Sequence, residues 1–152
     1  MHFSSGINRP PYEAQDAFLQ ITSGCSHGSC SFCTFYKDAP FRISPIEIVE
    51  EDIKELARGW YYPFNRIYLQ GADPFIVPYE YLKKVAELIH RYLPDVTSIG
   101  GYARVDNVRN KTVEQLKNLK NSEVHSSVIL SHVDMNIFRS VENVNLQTII
   151  SY

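Results

Sequence analysis

Apolar residues recur along this chain in two alternating rhythms, short unbroken runs and longer stripes at helical spacing, and the alternation predicts its elements. AFLQITSG (17–24) is a run of apolar and β-branched residues closing on a glycine, which predicts a buried strand that delivers Cys25 at its carboxyl end. SPIEIVEEDIKELARG (44–59) carries Ile46, Val49, Ile53 and Leu56 on one stripe. Ser44 stands where a cap is needed, Pro45 at the first helical position, and Glu47 three residues on to complete a capping box. NRIYLQG (65–71) predicts a second strand, leading into a loop with Gly71, Pro74 and Pro78. PYEYLKKVAELIHRYLP (78–94) predicts a second helix, apolar through Leu82, Val85, Ala86, Ile89 and Leu93; VTSIGGY (96–102) and TVEQLKNLK (112–120) predict a third strand and a third helix. Residues 1–16, with Pro10 and Pro11 and little periodicity, read as a loose lead-in.

Three strand–helix units in succession predict an α/β domain of parallel strands joined by crossovers, with helices outside and the functional loops at the strands' carboxyl ends. After residue 120 the character changes. NSEVHSSVILSHVDMNIFRSVENVNLQTIISY contains none of the chain's 7 glycines and 8 prolines. SVILSHV (127–133) and LQTIIS (146–151) have strand character, with no helix between them as well capped as the first two. The expected organisation is a lead-in over 1–16, a core domain over 17–120 and a divergent tail over 121–152.

Composition sets limits. With 152 residues, one core is expected, burying about two-thirds of the surface of the unfolded chain. A formal charge of −2 implies no bulk attraction to nucleic acid or to an anionic membrane. No segment approaches the ~20 apolar residues of a membrane span, and the first residues lack a cationic start followed by an apolar run, so a cytoplasmic, reducing setting is expected.

All three cysteines lie in GCSHGSCSFC (24–33). A disulfide framework would have an even number spread along the chain. Structural zinc takes four ligands, so a zinc module would need Cys25, His27, Cys30 and Cys33 together, a tight arrangement, or a distant histidine. Three cysteines can also be a complete set: an iron–sulfur cubane held by three thiolates keeps one iron open to a small molecule. The spacing C-x4-C-x2-C is shared with plant-type ferredoxins, [2Fe–2S] electron carriers that need a fourth cysteine not found here. Gly24 and Gly28 suit tight turns. His27 also reads as a solvated loop residue, and His90, on the second helix, as structural.

CSHGSCSFC resembles the cluster-binding loop of the radical S-adenosylmethionine (radical SAM) superfamily, where three cysteines follow the first strand of the barrel and an aromatic precedes the third. The resemblance implies a partial (β/α) TIM-like radical SAM barrel and makes Cys25, Cys30 and Cys33 ligands of a [4Fe–4S] cluster, with Phe32 near the adenine of S-adenosylmethionine. QGADP (70–74) is similar to the family's glycine-rich segment that receives the methionyl amino group, which gives Gly71, Ala72 and Asp73 that role. IGGYARVDN resembles strand-end segments of the oxygen-independent coproporphyrinogen oxidase and Elongator-like branch, and so places Tyr102, Arg104 and Asp106 toward the pocket. Arg104 and Asp106 equally suit a partly exposed ion pair with each other.

The implied activity is reductive generation of a 5′-deoxyadenosyl radical, with a flavodoxin- or ferredoxin-like reductant as partner. The departures are a first cysteine gap longer by one residue, Ala72 and Asp73 in place of glycine and glutamate, and three convincing strand–helix units where the family has six. A half barrel leaves strand edges unpaired. The tail is therefore expected to come from truncation or a frame change, and the chain to be an incomplete or inactive member. The substrate and reaction subtype are not written in these residues.

Overall fold

The structure, a computed structural model, describes residues 1–8, 11–13, 15–31, 33–59, 63–124, 127–129 and 147–148. In chain order its elements are β1 (Ala17–Gln20), β2 (Thr22–Ser23), β3 (Arg42–Ile43), α1 (Ile46–Arg58), β4 (Arg66–Gln70), α2 (Tyr79–Tyr92), β5 (Ser98–Arg104), α3 (Val105–Arg109), α4 (Val113–Asn121), β6 (Ser127–Ile129) and β7 (Gln147–Thr148). Single 3-10 turns occur at Pro11–Glu13 and Pro74–Ile76. No helix among the described residues is long and apolar enough to cross a membrane.

The main sheet has the order β1-β4-β5-β6-β7, and every neighbouring pair is parallel. Parallel strands need crossovers, which α1 and α2 supply for the first three. The fold is α/β, with the parallel strands expected from the alternating rhythms. Strand character in the tail corresponds to backbone pairing at 127–129 with β5 and at 147–148 with β6. The rest of SVILSHV and of LQTIIS lies outside the described residues.

Side chains alternate across each strand. One face gives Leu19, Ile67, Leu69, Ile99 and Ala103 to a core shared with Val49 and Ile53 of α1 and Leu82, Val85, Ala86 and Ile89 of α2. Fully burying an Ile or Leu side chain contributes about 1.5–3 kcal/mol relative to leaving it exposed, so this layer dominates the stability. The opposite face carries Phe18, Gln20, Tyr68, Gln70, Tyr102 and Arg104. There the rings of Phe18 and Tyr68 meet edge to face at 6.1 Å, and those of Tyr68 and Tyr102 at 5.5 Å.

At the amino ends of the strands Arg66 gathers acceptors from the segment before β1. Its Nε donates to Glu13 at 2.7 Å and Asp16 at 2.9 Å, and its Nη1 to Ser98 at 2.5 Å. Burial disfavours the Glu13 anion, but the bonds from Arg66 and Asp16, with the Arg66 charge, together outweigh it and hold that carboxyl below its ordinary range. Burial, then the bond to Glu13 and its charge, push Asp16 up to about 7.

Local details correct the sequence-based expectations. The run 17–24 is not one strand: it breaks at Ile21, whose carbonyl accepts the Ser44 N–H at 2.9 Å, and Thr22–Ser23 leaves the main sheet to pair antiparallel with β3. The capping box at Ser44 and Glu47 does not form, because the Ser44 hydroxyl donates instead to the Gln20 carbonyl at 3.3 Å and α1 starts without a side-chain cap. A capping box does form on α4, where Gln115 N–H donates to Thr112 Oγ1 at 3.1 Å and Thr112 N–H to Gln115 Oε1 at 2.9 Å. The short helix α3 was not anticipated; five residues are too few for a periodic stripe.

Candidate metal centre

The cysteines belong to a loop that leaves and returns through one narrow neck. β2 and β3 close it with the pairs Thr22↔Ile43 and Ser23↔Arg42. Gly24 makes the closure possible. Its φ is +65°, and an added Cβ would stand 2.5 Å from the Ala39 carbonyl oxygen and 2.6 Å from that of Pro40. Only a residue without a side chain lets the outgoing and returning backbones come this close.

Inside the loop short turns follow one another. Cys33 N–H donates to the Cys30 carbonyl at 3.3 Å, Lys37 N–H to Thr34 at 3.3 Å and Ala39 N–H to Tyr36 at 3.1 Å. All three cysteines are free thiols; Cys25 and Cys30 are partly buried and Cys33 is exposed. The Gly28 N–H points at Cys25 Sγ at 3.5 Å. Among the described residues no three metal-type side chains are already drawn together. The donor set nevertheless suits a thiolate-held metal group: three uncommitted sulfurs on one loop anchored at its root. The histidine is less suited, since His27 is exposed and its Nε2 lies 2.8 Å from Ser29 Oγ. Phe32 lies outside the described residues.

The loop after β4 abuts this root. Gly71 has φ +133°, and an added Cβ would overlap Thr22 Oγ1 and stand 2.9 Å from the Thr22 carbonyl oxygen. Ala72 is half-buried. Asp73 is buried at 2 % exposure and works as a brace: its carboxylate accepts the Arg104 N–H at 3.3 Å and the Asn107 side-chain amide. Burial pushes the Asp73 carboxyl up, and those bonds oppose the shift. Behind it Lys111 Nζ donates to the Phe75 carbonyl at 2.6 Å.

Gly71 is thus placed against the cysteine loop, and Asp73 against the end of β5. The Arg104 side chain turns to Asp106 at 3.1 Å, and Asp106 is exposed. Tyr102 packs on Tyr68 within the sheet face. His90 bonds the Ser122 carbonyl at 3.2 Å, a structural link between α2 and the end of α4.

Sequence reasoning missed three residues. Gln20 and Gln70 are both buried; Gln20 accepts the Ser4 N–H at 2.6 Å and Gln70 donates to the Asn8 carbonyl at 3.0 Å. The segment before β1 is therefore tied to the strands' carboxyl ends, and Gly6 comes against the Phe35 ring of the cysteine loop. The signal was present, since AFLQ and RIYLQ both end apolar runs on a glutamine. Tyr36, the third, is 8 % exposed, and its hydroxyl has no hydrogen-bond partner among the described residues.

The family model of the radical SAM superfamily matches residues 19–137, more than half of the chain, and the protein belongs to that superfamily. The match is to the superfamily as a whole and selects no branch within it. No curated protein and no solved structure matches the chain.

Proposed function

We propose that this chain binds a [4Fe–4S] cluster through Cys25, Cys30 and Cys33 and S-adenosylmethionine beside it, as a partial radical SAM barrel. The observation that carries the reading is a necked loop bearing three free thiols, with the Gly71 turn packed on its root, in a chain of this superfamily. Together the two cofactors supply one-electron reductive cleavage that yields a 5′-deoxyadenosyl radical.

The chain's own residues bind, orient and shield. Cys25, Cys30 and Cys33 would hold the cluster, and three protein ligands would leave one iron for S-adenosylmethionine. Gly24 and the β2–β3 pairs fix the root of the loop, so that its sulfurs stay near the carboxyl ends of β1 and β4. Gly71 and Ala72 present backbone to the methionyl amino group, while the Asp73 carboxylate, engaged with Arg104 N–H and Asn107, sets that turn's position. The Arg104 side chain and Phe32 complete the proposed cofactor contacts. The aromatic face of Phe18, Tyr68 and Tyr102 limits water. The electron comes from a flavodoxin- or ferredoxin-like reductant in the cytoplasm, and the likeness of IGGYARVDN to the coproporphyrinogen oxidase and Elongator-like branch supports that branch. The core over 17–120 carries these contacts, with 121–152 as its divergent end.

Anaerobic loading of the wild type beside single Cys25→Ser, Cys30→Ser and Cys33→Ser variants tests this. Cluster absorbance in the wild type, with a large loss in each variant, is expected. Undiminished loading in any one of the three would contradict the ligand set.

A further inference from the structure

The Tyr36 hydroxyl is buried without a partner among the described residues, and native proteins seldom keep such a group that serves nothing. A phenylalanine would fill the same volume without a stranded oxygen. The ring is held in place: Phe35 meets it edge to face at 4.7 Å and 75°, and the Tyr36 carbonyl accepts the Ala39 N–H. Tyr36 lies three residues after Cys33, inside the same necked loop. Burial first, then the charges of Tyr102, Cys25 and Cys33, push the phenol up to about 12. Another such atom, Thr22 Oγ1, lies against Gly71, where an added Cβ would overlap it. Tyr36 is thus the orphan carried within the cysteine loop itself.

We infer that the Tyr36 hydroxyl donates a hydrogen bond to the sulfur atoms of the loaded site, a contact that rests on the cluster reading above and is missing until the metal group is in place. A donor to cluster sulfur stabilises the reduced, more negative state and so raises the reduction potential. Among the described residues the same hydroxyl has nothing to bond, so its removal is expected to cost the metal-free protein no stability. The loaded protein therefore responds to the change while the metal-free protein loses no stability, which a packing role alone would not produce.

The experiment compares anaerobically loaded wild type, Tyr36→Phe and Tyr92→Phe by redox titration followed by electron paramagnetic resonance, with melting of the metal-free proteins alongside. Tyr92 is a control whose hydroxyl already donates to Glu50 at 2.8 Å in the helix layer. Expected for Tyr36→Phe is a roughly tenfold weaker reduction equilibrium, about 59 mV lower for one electron, with a melting temperature not below wild type. Tyr92→Phe is expected to leave the potential unchanged. Equal potentials for wild type and Tyr36→Phe, an equal shift in Tyr92→Phe, or a lower melting temperature for metal-free Tyr36→Phe would overturn the inference while the cluster reading stands. A wild type that takes up no iron would overturn both.

Discussion

Gln20 and Gln70 stand opposite each other at the last register of β1 and β4, each buried, and each reaches a different point of the same N-terminal segment. Gln20 also donates to the Ser5 hydroxyl at 2.9 Å. Two amides at strand ends thus hold residues 4–8 where the proposed cofactor site opens. Gln70→Ala leaves the Asn8 carbonyl without this donor, and a loss of about 1–2 kcal/mol in urea unfolding is expected. Hydrogen exchange should rise at residues 4–8 and stay unchanged in α2. Unchanged exchange at residues 4–8 would mean that the segment is held by other contacts.

Gly71 and Thr22 form a pair that a double-mutant cycle can isolate. Gly71→Ala adds a carbon onto Thr22 Oγ1 at a φ that side chains rarely adopt, so a loss of about 3 kcal/mol is expected. Thr22→Ala in the same chain removes the overlapping oxygen and should restore about 1 kcal/mol. The remainder persists because the Thr22 carbonyl and the backbone angle are unaltered. Strict additivity of the two changes would show that the overlap is relieved by movement elsewhere.

Gly24 offers a change confined to the loop. Gly24→Ala would drive a carbon into the Ala39 and Pro40 carbonyls and open the neck, while the core of α1, α2 and the main sheet does not depend on it. Metal loading is expected to fall at least tenfold, with far-ultraviolet circular dichroism nearly unchanged. Wild-type loading would contradict the neck's role in presenting the thiols.

The main elements were legible because each strand and helix carries its own period. Ile67 and Leu69, or Leu82, Val85, Ala86 and Ile89, can be assigned without knowing their partners. What escaped depends on distant partners. Ser44 has the residue type of a cap, but the Gln20 carbonyl took its hydroxyl. AFLQITSG reads as one strand because nothing local shows that Ile21 will bond Ser44 and send Thr22 to Ile43. The thiols, as a motif of identity and spacing, were visible at once. Tyr36 was one tyrosine among 10 until its hydroxyl proved to be buried without a partner among the described residues.

Asp16 gives the fold a pH dependence of definite sign. Its folded pKa, up to about 7 from an ordinary 3.8, means that the native chain keeps a proton that the unfolded chain has released. Its contribution is full below about pH 4 and is lost as the pH rises toward 7. Glu13, held low by Arg66, acts oppositely: its contribution is present above its ordinary range and lost as the pH falls. Between pH 5 and 7 the Asp16 effect governs, so Asp16→Asn should flatten the decline seen in wild-type urea unfolding over that interval. Parallel profiles for the two proteins would rule out Asp16 as its source.

The most direct test of the central claim is metal analysis of the anaerobically reconstituted protein, with electron paramagnetic resonance of the reduced form before and after adding S-adenosylmethionine. The account predicts about four irons per chain and a spectrum altered by S-adenosylmethionine, as an open iron corner requires. Two irons, zinc in place of iron, no stoichiometric metal, or a four-iron spectrum indifferent to S-adenosylmethionine would contradict it.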